Sequence, residues 1–437
     1  MRRVVITAAS AIGPTARGYD GFCEALLAGS SGGGPVTLFD ASAFPTRVAA
    51  EVKGFDEREP FEALAGLSVT PSALFERGHL AEDRKTALGL AAIFDLVEAA
   101  GVDLAGKCAL HLGTGLSSAS VLELEIDLAP FLDPRGNFDA LAYGRTMAST
   151  PSPSPWRHLT SEVNRLACAA LGLRGPSTTN FSACAASTQA IGRAYRDVQA
   201  GRADRAIAGG MDSMIHPFGM ISFMRLGALT TLNEAPQSAS RPFDRDRDGF
   251  LIGEGAAMLL LEPLEAAQAR GATILAEIIG YGTSMDAHAA TAPHPEGRGA
   301  VLAMQRALRD AAVEAGQIDY INTHGTGTPL NDSTETGAVK TLWALAGAEP
   351  PPVSSTKSMT GHLIAAAGAI EAVACVAALE RGFLPPTINI ENQDPACDLD
   401  VVDAACGRAA SPRIVMNNNF GFGGQNAALV MRRWEGR

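Results

Sequence analysis

Short apolar, β-prone runs alternate with alanine-rich segments of helical period along most of the chain. RVVITA near the start is followed by a helical segment near 83–100, CALHLG, a second helical segment near 159–172, RAIAGG and AMLLLE. Runs that stay apolar on both faces suit buried strands, and the segments between them suit covering helices, so the pattern predicts an α/β fold. After Pro263 the series restarts with ILAEIIG, a helical segment near 297–315, DYINTHG, a helix near 362–381 and AALVM. The restart predicts two similar halves, 1–262 and 263–437.

Two internal matches sharpen that expectation. GFLIGEGAAMLLLE (249–262) is similar to GFGGQNAALVMRR (421–433), and STTNFSACAASTQAI (177–191) is similar to SSTKSMTGHLIAAAGAI (354–370). Halves related by a pseudo-twofold axis would point the helices beginning near Cys184 and His362 at a common centre. Helix N-termini carry unpaired N–H groups and partial positive charge, which suit a thiolate or an oxyanion.

Composition narrows the class. The 437 residues are 46% hydrophobic and 19% charged, enough for a sizeable interior, and no uncharged apolar run is long enough to cross a bilayer. MRRVVITAAS has a short apolar part that alternates like a first strand, unlike the longer apolar stretch of a signal peptide. A net charge of -12 without a basic run argues against a general nucleic-acid binder. Seven scattered cysteines without a C-x-x-C pair fit free thiols in a reducing cytoplasm.

Candidate chemistry gathers in a few segments. Cys184 lies among Ala183, Ala185, Ala186 and Ser187; a buried cysteine is a small hydrophobe, while one at a helix start is an activated thiol. His324 stands in the loop INTHGTGTP, and Lys357 and His362 stand five residues apart in SSTKSMTGH, ahead of an alanine-rich helix. NNNFGFGGQN (417–426) and GTGLSSAS (113–120) match neither a dinucleotide fingerprint nor a Walker loop. In DRDRDGFLIGEG, Asp244, Asp246, Asp248 and Gly249 fit the first positions of a calcium loop, but position 12 is Gly255, with Glu254 one place early.

Taken together, these motifs resemble the β-ketoacyl-acyl carrier protein synthases of the I/II type. The resemblance runs in order through VVITA, GLRGPS, SACAAS, SRPFDRDRDGFLIGEGA, THGTGTP, SSTKSMTGH, PPTIN and NNNFGFGGQN. It implies the thiolase fold, with two similar halves in a five-layered α-β-α-β-α arrangement. The implied reaction is a decarboxylative Claisen condensation of a carrier-bound acyl chain with malonyl-acyl carrier protein, in fatty-acid or polyketide synthesis. No bound cofactor or metal is implied, because the phosphopantetheine arm arrives on the acyl carrier protein. The partners implied are that carrier and a second copy in a homodimer, or a related ketosynthase-like subunit in a heterodimer, in the cytoplasm.

Position by position, Cys184 corresponds to the acyl-accepting nucleophile and His324 and His362 to the two histidines of a Cys-His-His site. Lys357 corresponds to the lysine that tunes the site, with Glu335 as its supporting partner. Phe420 corresponds to the gating phenylalanine, whose backbone N–H would join that of Cys184 in an oxyanion hole. Thr291, Thr326 and Thr328 correspond to holders of the pantetheine arm, Leu116 and Phe223 to pocket walls, and Arg84, Lys85, Arg135 and Arg225 are candidates for docking an acidic carrier. The chain departs from the pattern in TAAS after the first strand and in TPSPSPWRHLTSEV, where Trp156 is expected to reshape the acyl pocket. A Coenzyme A thiolase would lack the HGTGT and KSMTGH motifs, and a non-catalytic partner subunit would lack the cysteine; this chain retains all of them.

Overall fold

A computed structural model describes residues 1–65, 84–115, 128–149 and 159–436. Ten strands form its main sheet: β1 Val4–Ile12, β2 Cys108–Thr114, β3 Ser177–Asn180, β4 Arg205–Ser213, β5 Glu254–Pro263, β6 Ala276–Met285, β7 Tyr320–Asn322, β8 Val353–Ser354, β9 Ile414–Gly421 and β10 Gln425–Arg433. Their order is β8-β7-β9-β10-β6-β1-β5-β4-β2-β3. Read outward from the β6–β1 junction, the two sides repeat one pattern. In each, the first strand pairs antiparallel with the last, the last pairs antiparallel with its predecessor, and the remaining pairs are parallel. Val4–Ile6 of β1 pairs with Ala276–Ile278 of β6 and joins the two sides into one hydrogen-bonded sheet.

Burial distinguishes inner from outer helices. The principal ones are α1 Arg84–Ala100, α2 Ala186–Gln199, α3 Arg298–Ala311, α4 Pro329–Leu345 and α5 Ala367–Arg381. Helix α3 buries Ala300, Ala303, Met304, Ala307 and Leu308 and exposes Arg306 and Arg309, the single stripe of an outer helix. In α5 every residue from Ala367 to Leu379 is buried, as a helix packed on all sides requires. One apolar cluster accordingly joins α2 and α5 to β1, β5, β9 and β10; a second surrounds α1, and a third surrounds α3 and α4. The result is the expected five layers, with α2 and α5 between the two sides of the sheet. Among the described residues, no helix is long and apolar enough to cross a membrane.

Most predicted elements appear within a few residues of their expected bounds. The helix expected near 362–381 starts later: Lys357–Thr360 forms one short turn, His362 lies beyond it, and the helix begins at Ala367 after the 3₁₀ turn Ile364–Ala366.

Candidate active site

The starts of the two central helices are built alike. Cys184 sits in the 3₁₀ turn Ala183–Ala185 before α2, and Ala365 takes the corresponding place in Ile364–Ala366 before α5. Each turn opens on a non-glycine residue of positive φ, 48° at Ala183 and 47° at Ile364. That backbone is strained, especially for β-branched isoleucine, and surrounding contacts must hold it. One holding contact crosses between the helices, Ser187 Oγ accepting from Ala369 N at 2.9 Å, and another comes from strand β4, where Asp212 Oδ2 accepts from Ala365 N at 3.0 Å. Gly113 on β2 permits the close approach of α2, since a Cβ there would lie 2.3 Å from Ser187 N. The two N-termini therefore converge on one buried centre.

At that centre His362 Nε2 lies 3.1 Å from Cys184 Sγ, and Ile364 N donates to His362 Nδ1 at 3.2 Å. A ring nitrogen that accepts is unprotonated, so the proton is assigned to Nε2, and His362 is a donor toward the sulfur side. The ring of His324 stands edge-on to that of His362, with centroids 5.4 Å apart. The sulfur and one nitrogen of each histidine lie within 4.8 Å of one another. That set has the composition of a metal site, but His362 Nδ1 is already committed to Ile364 and Nε2 carries the proton.

The His324 loop is pinned by carboxylates of α4. Glu335 accepts from His324 N and Gly325 N, both at 2.8 Å, while Asp332 accepts from Thr326 N at 3.0 Å and Gly327 N at 3.1 Å. Lys357 Nζ donates to His324 O at 2.6 Å and to the carboxylate of Glu371. Asn419 Nδ2 donates to Glu371 Oε2 at 2.6 Å, and Thr188 Oγ1 donates to Asn419 Oδ1. Glu335 thus holds the loop backbone, and the direct partner of Lys357 is Glu371. Neither Glu371 nor Asn419 was singled out from the sequence, although one carboxylate within AGAIEAVACVAAL was a legible signal.

The glycine-rich loop corrects one expectation. Phe420 sets its ring 6.1 Å from that of His324, but it is the backbone N–H of Phe422 that faces the Cys184 sulfur. A Cβ on Gly421 would lie 3.0 Å from Cys184 N, so glycine keeps space open beside that donor. The Phe422 N–H thus meets the Cys184 sulfur where the N–H of Phe420 was expected. The Phe422 ring stacks on Phe223 at 6.3 Å; Phe223 meets Phe250 edge-on at 5.5 Å, and Phe250 meets His362 at 5.0 Å.

A cavity of 330 Å³ opens onto Cys184, His324 and His362, with Thr291, Thr326, Thr328, Phe250, Phe420 and Phe422 among its walls. The hydroxyls of Thr326 and Thr328 lie 2.9 Å apart. Phe223 supports two of the cavity's rings and does not itself line it. Leu116 and Trp156 lie outside the described residues. Two docking candidates are corrected. Arg84 is turned inward onto Glu254 and Glu57, at 2.7 and 2.8 Å, and Lys85 is buried with Nζ on Gly115 O at 3.2 Å. Arg135 and Arg225 are exposed. The acidic run at 244–248 serves the backbone: Asp244 accepts from Asp246, Glu391 and Asn392 N–H groups, and Asp248 accepts from Thr231.

Burial governs the charges. It pushes the Cys184 thiol up to about 11, against the opposing pull of Lys357 and the Phe422 N–H. This reverses the lowering expected from a helix N-terminus, because the site excludes water that would solvate a thiolate. Burial, with the Lys357 charge, holds both histidines well below the usual imidazole value, so both are neutral at pH 7. Burial also raises Glu335 to about 7, against the backbone N–H groups it accepts and Lys357.

A thiol, two neutral imidazoles and a pair of backbone donors around one cavity can accept an acyl group and stabilise an enolate. The sequence matches the N-terminal domain of β-ketoacyl synthases over residues 1–267 and their C-terminal domain over 275–391. The chain belongs to the β-ketoacyl synthase family. It is 39% identical over 439 residues, 99% of each chain, to the 3-oxoacyl-[acyl-carrier-protein] synthase 2 of Synechocystis sp.. The solved ishigamide ketosynthase/chain length factor is 35% identical, with a TM-score of 0.82 over 99% of each chain. A type II polyketide acyl-carrier protein in complex with its ketosynthase bound to the hexaketide gives 28% identity and a TM-score of 0.83 over 99% of this chain and 100% of that one. This β-ketoacyl synthase is an acyltransferase that condenses carrier-bound acyl and malonyl units in fatty-acid or type II polyketide synthesis.

Proposed function

We propose that Cys184 carries the acyl chain and that His324 and His362 stabilise the enolate. The observation that carries this assignment is His362 Nε2 standing 3.1 Å from the Cys184 sulfur while the Ile364 N–H donates to Nδ1, which assigns the ring proton to Nε2. The Cys184 sulfur attacks the carrier thioester, the Cys184 and Phe422 N–H groups receive the oxyanion, and the thiol proton leaves with the departing carrier sulfur. Malonyl-carrier protein then enters. Its carbon–carboxylate bond breaks, the electron pair moves into the thioester carbonyl facing the two imidazoles, and carbon dioxide leaves. The enolate carbon attacks the acyl-cysteine carbonyl, the carbon–sulfur bond breaks, and the freed cysteine sulfur takes up a proton from solvent.

Lys357 positions His324 through its carbonyl, and Glu335 does so through its N–H. Thr326, Thr328 and Thr291 hold the arm along the cavity wall. The halves 1–262 and 263–437 supply the nucleophile and the two histidines respectively.

The raised thiol makes its reactivity steeply pH-dependent. Below its value of about 11 the thiolate fraction rises with pH. Iodoacetamide alkylation of Cys184 is therefore expected to accelerate about tenfold per pH unit between about pH 7 and 10. Mass spectrometry of the alkylated peptide measures it; a plateau below pH 8 would contradict the protonated resting state.

The chain pairs with a second copy in this reading. Strand β3 ends the sheet, and its Ser177 and Thr178 are exposed, an edge that proteins ordinarily cover. Native mass spectrometry tests the pairing: a dimer of identical chains supports it, and a monomer that dimerises only with a related ketosynthase-like subunit assigns the edge to a heterodimer.

A further inference from the structure

The turn that joins His362 to α5 is strained and needs an anchor. Ile364 takes a φ of 47° there, unfavourable for a β-branched residue, and its N–H is the group that meets His362 Nδ1 at 3.2 Å. The backbone of His362 itself is held by the segment before β5: His362 N donates to Leu251 O at 2.7 Å, and Gly253 N donates to His362 O at 2.9 Å. Beyond Ile364, the N–H of Ala365 donates to Asp212 Oδ2 at 3.0 Å. Asp212 is fully buried near the end of β4, and its Oδ1 accepts from Ser213 N at 3.0 Å. Gly115 makes room for this carboxylate, since a Cβ there would lie 2.3 Å from Asp212 Oδ2.

The same side chain brings charge to the centre. Negative charge at a helix N-terminus offsets the partial positive charge of the unpaired N–H groups there, and Asp212 stands at the start of α5, where the start of α2 converges. After burial, the groups that act on the Cys184 sulfur are Lys357 and the Phe422 N–H, which favour the thiolate, and Asp212 and Glu371, which disfavour it. Both histidines are neutral, and Lys357 and Glu371 pair with each other, so their charges largely cancel at the sulfur. Asp212 is then the charge that tips the balance.

We propose that Asp212 is a positioning residue for both halves of the site: through the Ala365 N–H it fixes the turn that orients His362, and its charge offsets the helix dipoles that meet at Cys184. The first role keeps the ring proton of His362 on Nε2, on the sulfur side. The second keeps the resting sulfur protonated, and so slow toward stray electrophiles, until a carrier thioester is bound. The inference rests on the reading of Cys184 as acyl acceptor and His362 as enolate stabiliser.

Asp212→Asn separates charge from shape, because the amide keeps an oxygen for the Ala365 N–H. Its Cys184 should react with iodoacetamide about threefold faster than wild type at about pH 7.5, a gain in thiolate partly offset by lower nucleophilicity, and the rate profile should move to lower pH. Lys85, with Nζ on Gly115 O, is the cation beside that glycine, and its charge moves the thiol in the same direction. Asp212→Ala removes the acceptor as well. There kcat for condensation should fall about tenfold at unchanged KM for malonyl-carrier protein, with Asp212→Asn recovering most of the loss. Imidazole nitrogen NMR shifts, assigned with His362→Ala, should show His362 losing its single Nε2–H tautomer in Asp212→Ala. A merely structural Asp212 would lower Tm and kcat in both variants without speeding alkylation. An Asp212→Asn thiol that reacts no faster than wild type, or an Asp212→Ala protein in which His362 keeps its tautomer, would each overturn the proposal; where Asp212→Ala does not fold, the alkylation rate of Asp212→Asn decides alone. Alkylation and tautomer are read without substrate, so failure of the underlying reading shows separately, as absence of acyl label on Cys184 when an acyl N-acetylcysteamine thioester is supplied.

Discussion

Replacing Cys184 by glutamine is expected to convert the condensing enzyme into a decarboxylase that makes no β-ketoacyl product. The substitution removes the sulfur nucleophile, which should cost about 10⁴-fold or more in condensation. The glutamine amide oxygen then occupies the N–H groups of residue 184 and Phe422, as the carbonyl of an acyl-cysteine would. His324 and His362 remain, both neutral because burial and Lys357 oppose their protonation. Malonyl-carrier protein should therefore still lose carbon dioxide and leave acetyl-carrier protein. Depression of the imidazoles sets the pH behaviour: the neutral forms persist below pH 6.5, so the rate should not fall as pH drops through that value. Adding His324→Ala removes a donor to the developing enolate and should lower the rate by about 10²–10³. Labelled carbon dioxide and acetyl-carrier protein are the readouts. A folded single variant that is inert, or a double variant that decarboxylates equally fast, would show that the histidines do not divide the labour in this way.

The α/β class was legible because apolar runs and helical segments repeat in order. The central position of α5 was legible in its alanine-rich sequence, which lacks a polar stripe. Cys184, His324 and His362 were legible through their motifs. The glycine-rich loop was not fully so, because NNNFGFGGQN offers two phenylalanines two residues apart. Strand β9 ends at Gly421, and Gly423 turns the chain at φ 80°, so Phe420 faces His324 while the Phe422 N–H faces the sulfur. That difference depends on where a strand ends, which periodicity fixes poorly. Arg84 misled for another reason. Its partner Glu254 is 170 residues away on a buried strand, and no local pattern joins them. The thiol misled because a helix N-terminus was weighed without the burial that opposes it.

The buried pair of Lys357 and Glu371 should dominate the stability of this site. Both side chains are 1% exposed, and each has further partners: His324 O for the ammonium and Asn419 Nδ2 for the carboxylate. Lys357→Met keeps much of the volume but leaves Glu371 buried without its counter-charge, which costs about 3–5 kcal/mol when a buried pair is broken. The same change frees the His324 carbonyl from its donor, so kcat should fall with stability. The penalty has a defined pH sign. Burial already raises Glu371 above the ordinary glutamate value with Lys357 present, and loss of the lysine charge raises it further. A carboxyl raised in the folded state is destabilising once pH exceeds its unfolded value, and the cost grows until pH passes the folded value. The deficit of Lys357→Met in Tm should therefore be smaller at pH 5 than at pH 8. Replacing both partners, as Lys357→Met/Glu371→Leu, removes the unpaired charge and should recover most of the stability without recovering condensation, because His324 still lacks its anchor. Thermal unfolding at the two pH values and condensation assays on both variants measure these effects. A double variant as unstable as the single one would mean that the cost lies in packing around residue 357, and a fully active double variant would remove Lys357 from the positioning of His324.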